Sequence, residues 1–184
     1  MAGNHFPLRG KSSAVKTRVL FSSHRIQRRV TALAREIDRH YRGRELVLIG
    51  VLNGSVIFLA DLVRHLKTPL KLDCISASSY GTATRSSGKV IFHPHLKLTV
   101  KGAHILLVDD ILDTGRTVSK LMRFLRTFRP ASVKLCVLLR KRVKRAVPAK
   151  AHFVGFDIPD RFVYGYGLDI AEQFRNLPHI AYRV

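Results

Sequence analysis

The chain has 184 residues, of which 33 are lysine or arginine and 12 are acidic, giving a formal net charge of +21. Its hydrophobic content of 46% is sufficient for one domain, which at this length buries roughly 70% of its unfolded-state surface. The sequence has no apolar run long enough for a membrane-spanning helix, and its two cysteines are too few for a disulfide-rich scaffold.

The N-terminal region is basic, because none of the first 35 residues is acidic. This composition is also found in organellar targeting peptides. However, Ile26, Val30, Leu33 and Ile37 recur at helical spacing after Ser23, a plausible cap, which favours a helix of the folded domain. We therefore predict a basic, flexible arm at residues 1–17 and a single domain at residues 18–184.

Beyond this helix, strand patterns and helix patterns alternate along the chain. The predicted strands are Leu46–Leu52, Leu70–Ala77, Ile105–Val108, Val133–Leu139 and Phe153–Ile158. The predicted helices are Val56–Leu66 and Val118–Phe128, with a ribbon-like segment at Lys89–Leu98 and a basic linker at Lys141–Lys150. Strands separated by helices predict an α/β fold with a twisted, mainly parallel sheet.

The two cysteines, Cys74 and Cys136, both lie in apolar, strand-like segments. A free cysteine in such a segment usually behaves as a small buried hydrophobic residue. We therefore predict two buried free thiols and a reducing, cytoplasmic environment.

An acidic segment follows the strand Ile105–Val108. Asp109, Asp110 and Asp113 are three of the twelve acidic residues, and a Thr/Gly/Arg/Thr loop comes directly after them. Loops between a parallel strand and a helix bind phosphate through backbone amides, and paired carboxylates can accept ribose hydroxyls or hold Mg²⁺. Asp113 stands apart from the pair and is available as a base. The alternative is a solvated acidic turn that only caps the helix.

These residues carry a resemblance to a known family. Residues 108–117 resemble the phosphoribosyl-pyrophosphate (PRPP) motif of the purine and pyrimidine phosphoribosyltransferases. Residues 50–55, 78–81 and 153–169 resemble, in order and spacing, motifs of the hypoxanthine-guanine branch, and the match extends from Val19 to Tyr182. The resemblance implies the type I fold, with a small hood formed by N- and C-terminal segments. It also implies a cytoplasmic, Mg²⁺-dependent enzyme of purine salvage that assembles as a homodimer or homotetramer.

The resemblance also assigns the PRPP contacts. It places the ribose and 5′-phosphate on residues of the acidic segment and the following loop, namely Asp109, Asp110, Asp113, Thr114, Gly115, Arg116 and Thr117. It places the pyrophosphate on Leu52, Asn53, Gly54 and Arg175, the metal on Asp109, Asp110 and Asp169, and a closing lid on Ser79 and Tyr80. In relatives the bond at Leu52–Asn53 can be cis. Asn53 departs from the family pattern, because many relatives have lysine or arginine there.

The purine contacts implied by the resemblance come from the C-terminal third. Lys141 donates to the purine O6, Phe162 stacks on the ring, Val163 and Asp169 lie at the remaining edge, and Asp113 accepts the N7 proton. The products are IMP or GMP and pyrophosphate. Hypoxanthine, guanine and xanthine all remain open as substrates. Without the resemblance, Phe162 would be interpreted as a core residue and Asp169 as a helix cap.

The high positive charge leaves one alternative function open. Some proteins of this fold are regulators that bind RNA or DNA and use the PRPP site as a sensor. Six arginines of the first helix and the turn after it can supply phosphate contacts, namely Arg28, Arg29, Arg35, Arg39, Arg42 and Arg44.

Overall fold

The computed structural model describes residues 16–78, 91–92, 96–144 and 146–184, and it contains nine strands and three helices within these ranges. In chain order the elements are β1 (Thr17–Phe21), α1 (Ser23–His40), β2 (Leu46–Leu52), α2 (Val56–His65), β3 (Leu70–Ser78), β4 (Ile91–Phe92), β5 (His104–Leu112), α3 (Arg116–Thr127), β6 (Ser132–Lys141), β7 (Phe153–Ile158), β8 (Val163–Tyr164) and β9 (Ile180–Arg183).

The main sheet has six strands in the order β4-β3-β2-β5-β6-β7. Five of them are parallel, and only β4 pairs antiparallel, with β3. The predicted α/β fold with a mainly parallel sheet is therefore confirmed. The ribbon expected at Lys89–Leu98 is present among the described residues only as the two-residue strand β4.

The central strands are apolar on both faces because helices cover both sides of the sheet. One hydrophobic cluster lies between the sheet and helices α1 and α2, and includes Ile26, Leu33 and Phe58. A second cluster lies under α3 and includes Leu121 and Leu125. Because these five strands are parallel, their carboxyl ends meet at one edge of the sheet.

A smaller antiparallel sheet, β1-β9-β8, joins the two ends of the described chain. Thr17 pairs with Arg183 and Val163 with Tyr182. This is the small hood of N- and C-terminal segments that the resemblance implied.

Several predicted boundaries differ from the structure. The side chain of Ser22, not Ser23, accepts the cap hydrogen bond of α1, from the Arg25 amide. Phe128 lies just beyond α3 and is exposed, because the helix ends at Thr127. Cys136 is buried as predicted, whereas Cys74 is only half-buried, and both thiols are free. Of the helices in the described ranges, none has the length and apolarity needed to cross a bilayer.

Candidate active site

The turn between β5 and α3 exposes the first amides of a helix. Gly115 occupies the N-cap position with a φ of +79°, a left-handed conformation that favours glycine, and it has no side chain to cap the helix. The Val147 amide donates to the Thr114 carbonyl at 3.3 Å, so the segment after β6 holds this turn. An uncapped helix start attracts anions through its N–H groups and its dipole.

The acidic pair belongs to the strand, not to the turn that the sequence suggested. Asp109 and Asp110 lie within β5, where Asp109 pairs with Val137 and the ladder continues to Ile111. Asp109 is only 7% exposed. Burial, reinforced by the charge of Asp110, raises the pKa of Asp109 well above its usual value, and burial also raises the pKa of Asp110. The two adjacent carboxylates, of which Asp109 is buried and Asp110 half-buried, form an oxygen-only site that suits a divalent cation.

The loop after β2 contacts this acidic pair. The Leu52–Asn53 peptide bond is cis, and the Ser55 hydroxyl donates to the Val51 carbonyl at 2.6 Å. Gly54 lies so close to the Asp110 carboxylate that a Cβ at this position would collide with it. A side chain here would therefore displace either the loop or the acid.

A third segment closes against the same loop from the hood side. Gly167 has a φ of +99°, and its Cα lies against the Gly54 carbonyl, leaving no room for a Cβ. Arg175 donates to the Gly167 carbonyl at 2.8 Å and pairs with Asp169 at 3.0 Å, and its positive charge acts to lower the pKa of Asp110. The structure thus brings Asn53, Gly54, Asp110 and Arg175 together.

Asp113 is held in an ion pair with a lysine. The Lys141 ammonium donates to Asp113 at 2.8 Å and to Asp160 at 3.0 Å. Burial lowers the pKa of Lys141, but the hydrogen bonds to the two carboxylates outweigh this effect and raise it overall. The pairing arises because Lys141 is the last residue of β6, next to β5 in the sheet.

The aromatic side chain predicted at the purine is accessible. Phe162 is 60% exposed, so it is not the core residue that its apolarity alone would suggest. It immediately precedes Val163, which is buried at the start of β8. An exposed ring fixed beside a buried strand provides a stacking surface.

Two predicted site residues lie outside the described ranges, and two other residues near the site were not predicted from the sequence. The lid residues Ser79 and Tyr80 fall outside the described residues. Sequence reasoning missed Asp160, the second partner of Lys141, although it lies in the segment that carries the resemblance. It also missed Tyr166, whose hydroxyl donates to the buried Asp61 at 2.5 Å and connects the hood to α2. No pattern in the sequence pairs two residues so far apart.

The described residues offer only a few carboxylates that could bind magnesium. No cluster of three or more histidine, cysteine or acidic side chains suited to a metal occurs among the described residues. Mg²⁺ needs only one or two carboxylates beside substrate oxygens, so Asp109 and Asp110 fit it. Asp169 is less available as a metal ligand, because its Oδ1 pairs with Arg175 and its Oδ2 accepts a hydrogen bond from the Glu172 amide.

Comparison with known proteins places this geometry in a family. Residues 18–171 match the model of the phosphoribosyl transferase domain. The chain is 44% identical to the hypoxanthine-guanine phosphoribosyltransferase of Bacillus subtilis over 89% of this chain and 91% of that protein. It is 40% identical to the hypoxanthine phosphoribosyltransferase of Salmonella typhimurium over 88% of this chain and 92% of that protein.

The fold agrees with the sequence comparison. A crystal structure of a hypoxanthine-guanine phosphoribosyltransferase from Bacillus anthracis superposes with a TM-score of 0.85 at 43% identity. The match covers 92% of this chain and 99% of that one. A hypoxanthine phosphoribosyltransferase from Staphylococcus aureus has the same TM-score at 35% identity, with 92% of both chains covered.

Proposed function

Because this chain belongs to the hypoxanthine-guanine phosphoribosyltransferases of the type I phosphoribosyltransferase family, we propose a specific division of labour among the residues of its site. The family activity, phosphoribosyl transfer to a 6-oxopurine in purine salvage, is the activity of this chain. In the proposed reaction, N9 of hypoxanthine or guanine attacks the ribosyl carbon of PRPP. The products are IMP or GMP and pyrophosphate.

The 5′-phosphate binds at the start of α3. The turn Asp113–Thr117 offers backbone amides, the hydroxyls of Thr114 and Thr117, and the cation of Arg116, around the uncapped Gly115. The helix dipole and the exposed N–H groups favour a dianion there. Asp109 and Asp110 at the end of β5 then accept the ribose hydroxyls.

The pyrophosphate binds between the β2–α2 loop and Arg175. The loop residues Asn53 and Gly54 lie beside the acidic pair, because Gly54 contacts Asp110, and their amides are the proposed donors. Arg175 adds a cation whose charge acts on Asp110. Asn53 brings no charge of its own, so the affinity for pyrophosphate depends more on the amides and on Arg175 than in relatives with a basic residue there.

Magnesium would be held by Asp109 and Asp110, and by Asp169 if this carboxylate exchanged its contact with Arg175. When bound, Mg²⁺ supplies the positive charge that neutralises the leaving pyrophosphate. The remaining steps depend on residues of the chain.

One observation carries the proposed base chemistry, namely the ion pair between Lys141 and Asp113 at 2.8 Å. O6 and N7 are neighbouring positions on one edge of an oxopurine. A donor and an acceptor side by side match that edge, since Lys141 donates to O6 while Asp113 accepts the proton from N7. Adenine has a donor at position 6, which would face the ammonium and leave both groups unpaired at a cost of roughly 1–3 kcal/mol.

The order of events follows from these contacts. In the free protein, Lys141 neutralises Asp113. A bound oxopurine, stacked on Phe162 with Val163 and Asp169 at its far edge, takes over the ammonium through O6. Asp113 is then released to accept the N7 proton as positive charge develops at the ribosyl carbon, a general-base contribution of typically 10²–10⁴-fold.

The proposed function also includes a domain organisation, an oligomeric state and a cellular compartment. We propose a single phosphoribosyltransferase domain at residues 18–184 in a cytoplasmic homodimer or homotetramer. The free thiols of Cys74 and Cys136 support a reducing compartment.

The test is pyrophosphate release from PRPP and Mg²⁺ with hypoxanthine, guanine, xanthine, adenine and uracil offered separately. We expect turnover with oxopurines only. Turnover with adenine would contradict the proposed donor role of Lys141. If folded protein that binds PRPP used no base at all, the PRPP-sensing regulator would become the better hypothesis.

A further inference from the structure

A row of unpaired arginines follows the exposed side of α1. Arg28, Arg35 and Arg39 are all exposed and are separated by seven and four residues, which places them on one side of the helix. At 1.5 Å per residue the row is about 16 Å long. Arg42 and Arg44, also exposed, continue it into the turn before β2.

The carboxylates of the chain do not neutralise this row. All twelve acidic residues fall within the described residues, and none of them forms an ion pair with these five arginines. The two acids of α1 are engaged elsewhere, since Glu36 pairs with Arg29 and Asp38 accepts from the Lys67 and Thr68 amides. Arg29 itself donates to the Val154 and Gly155 carbonyls, so it does not belong to the row.

The surface beside this row continues at the amino ends of the parallel strands, where three histidines lie. His104 begins β5 and lies 2.8 Å from the Ser132 hydroxyl at the start of β6, while His152 accepts from the Leu135 amide at 3.1 Å. The rings of His40 and Phe153 are 5.6 Å apart.

Basic side chains surround these three histidines. Burial, with the charges of Lys134, Arg44 and His104, lowers the pKa of His40. Burial, with charges that include Lys134, Lys150, His40 and Arg126, lowers the pKa of His152. The geometry agrees, because the rings of His40 and His104 lie 4.8 Å and 6.2 Å from the Tyr41 ring, and Lys134 follows Ser132, the pairing partner of His104, by two residues. We call the whole surface the basic face, and its members are Arg28, Arg35, Arg39, His40, Arg42, Arg44, His104, Arg126, Lys134, Lys150 and His152.

The basic face is separate from the candidate active site. His104 and Asp110 lie at opposite ends of β5, six residues apart, which corresponds to about 20 Å along a strand. A ligand bound at the His104 end of the basic face would therefore not occupy the PRPP or purine positions.

We infer that the basic face is a binding surface for the phosphodiester backbone of a nucleic acid. A single phosphate would engage only one end of a row about 16 Å long, whereas a strand presents a phosphate about every 3.4 Å. Unpaired arginines give up no internal ion pair when they contact phosphates, and each contact releases a counterion from the nucleic acid. Contacts to phosphates carry no sequence information, so binding is independent of sequence.

The test uses the full chain, without PRPP or purine, and follows the fluorescence anisotropy of a labelled 20-nucleotide RNA and of a 20-base-pair DNA duplex. Affinity is measured at several KCl concentrations between about 50 and 200 mM, a range over which phosphate contacts weaken steeply. We compare the wild type with the triple variant R28Q/R35Q/R39Q. The matched control is K16Q/R18Q/R183Q, which removes three exposed charges from the hood and leaves the same net charge of +18 (21 − 3).

We expect the R28Q/R35Q/R39Q variant to bind more weakly, with a slope of log K against log salt less steep by about 2 to 3. The hood variant should bind nearly as wild type does, and the two variants, which have the same net charge, should both be folded and unfold at similar temperatures. The RNA and DNA arms identify which nucleic acid is preferred.

Equal weakening in both variants would overturn the inference in favour of non-localised attraction by net charge. Binding to phosphatidylserine vesicles but to neither nucleic acid would overturn it in favour of a membrane surface. Because the assay contains no substrate, its outcome is independent of the proposed transferase mechanism.

Discussion

Asp113 combines accessibility with a specific partner. Its side chain is 44% exposed and accepts a hydrogen bond from Lys141, whose own side chain is only 12% exposed. Replacing Asp113 by asparagine keeps an oxygen acceptor for the lysine but removes the proton acceptor. We expect D113N to lower kcat by about 10²–10⁴-fold, the usual contribution of a general base, with a much smaller effect on IMP binding.

Single-turnover rates and IMP affinity, measured side by side, separate the two effects. Asp160→Asn is the matched control, because Asp160 is the other carboxylate on Lys141 but is not the proposed base. D160N should change kcat only slightly. Equal turnover in D113N and the wild type would refute the assignment of Asp113 as the base.

Lys141 is the proposed source of oxopurine selectivity. Its ammonium is held by two carboxylates in the free protein, so it is positioned before a purine arrives. We expect Lys141→Ala to reduce kcat/KM for hypoxanthine and guanine by about 10–100-fold, corresponding to one charged hydrogen bond, while the trace activity with adenine is unchanged. Arg142→Ala removes a neighbouring exposed cation and is the control. An unchanged ratio of oxopurine to adenine use in K141A would count against the proposed role.

At the scale of secondary-structure elements, a buried hydroxyl connects the hood to helix α2. Tyr166 donates to Asp61 of α2, which also accepts from Gln27 of α1 and pairs with Arg64. Tyr166 lies between the glycines of the segment that contacts the pyrophosphate loop. We expect Tyr166→Phe to lower the free energy of unfolding by about 1–3 kcal/mol, because it removes a donor from a buried carboxylate.

Two other tyrosines provide matched controls for this prediction in urea unfolding. Tyr164→Phe makes the same change in a buried hood residue without a described hydroxyl hydrogen bond, so it should be nearly neutral. The Tyr41 hydroxyl is buried without a described partner, so Tyr41→Phe should leave stability unchanged or raise it. Equal losses in all three variants would mean that the Tyr166–Asp61 bond has no special role.

The accuracy of sequence prediction differed among elements for physical reasons. β2 and β7 were predicted to the residue, because each is a hydrophobic run bounded by polar residues or a loop. The prediction ended β5 at Val108, because two aspartates usually indicate a turn, yet the ladder with β6 carries them within the strand. The strand limits in the hood were not predicted, since short strands depend on pairing between distant ends of the chain.

The same reason limits prediction of the site. The acidic segment and its loop are local in sequence, so their proximity was predictable. The pair Lys141–Asp113 depends on β5 and β6 being neighbours, and the contact between Gly167 and the Gly54 carbonyl depends on the hood. Periodicity and spacing carry no information about such long-range contacts.

At the scale of the whole molecule, positive and negative charges are distributed unequally. The twelve acidic residues are concentrated at the candidate active site or in ion pairs and hydrogen bonds with nearby groups, such as Glu45 with Lys71 and Asp157 with Arg140. Most of the 33 lysines and arginines therefore have no compensating carboxylate. A net charge this far from zero destabilises the compact state through self-repulsion.

Screening this repulsion should stabilise the protein. Raising KCl from about 10 mM to 100 mM shortens the Debye length from roughly 30 Å to 10 Å, so repulsion between distant cations falls while contacts at 3 Å are little affected. We expect the thermal midpoint to rise with KCl, by about 2–4 °C for each kcal/mol of repulsion removed in a chain of this size. The K16Q/R18Q/R183Q variant, with a net charge of +18 (21 − 3), should start at a higher midpoint in low salt and gain less from added KCl. Calorimetry in a buffer free of phosphate and Mg²⁺ avoids stabilisation by ligands. A midpoint that fell with salt would mean that attractive ion pairs, not the excess of positive charge, dominate the electrostatic free energy of the fold.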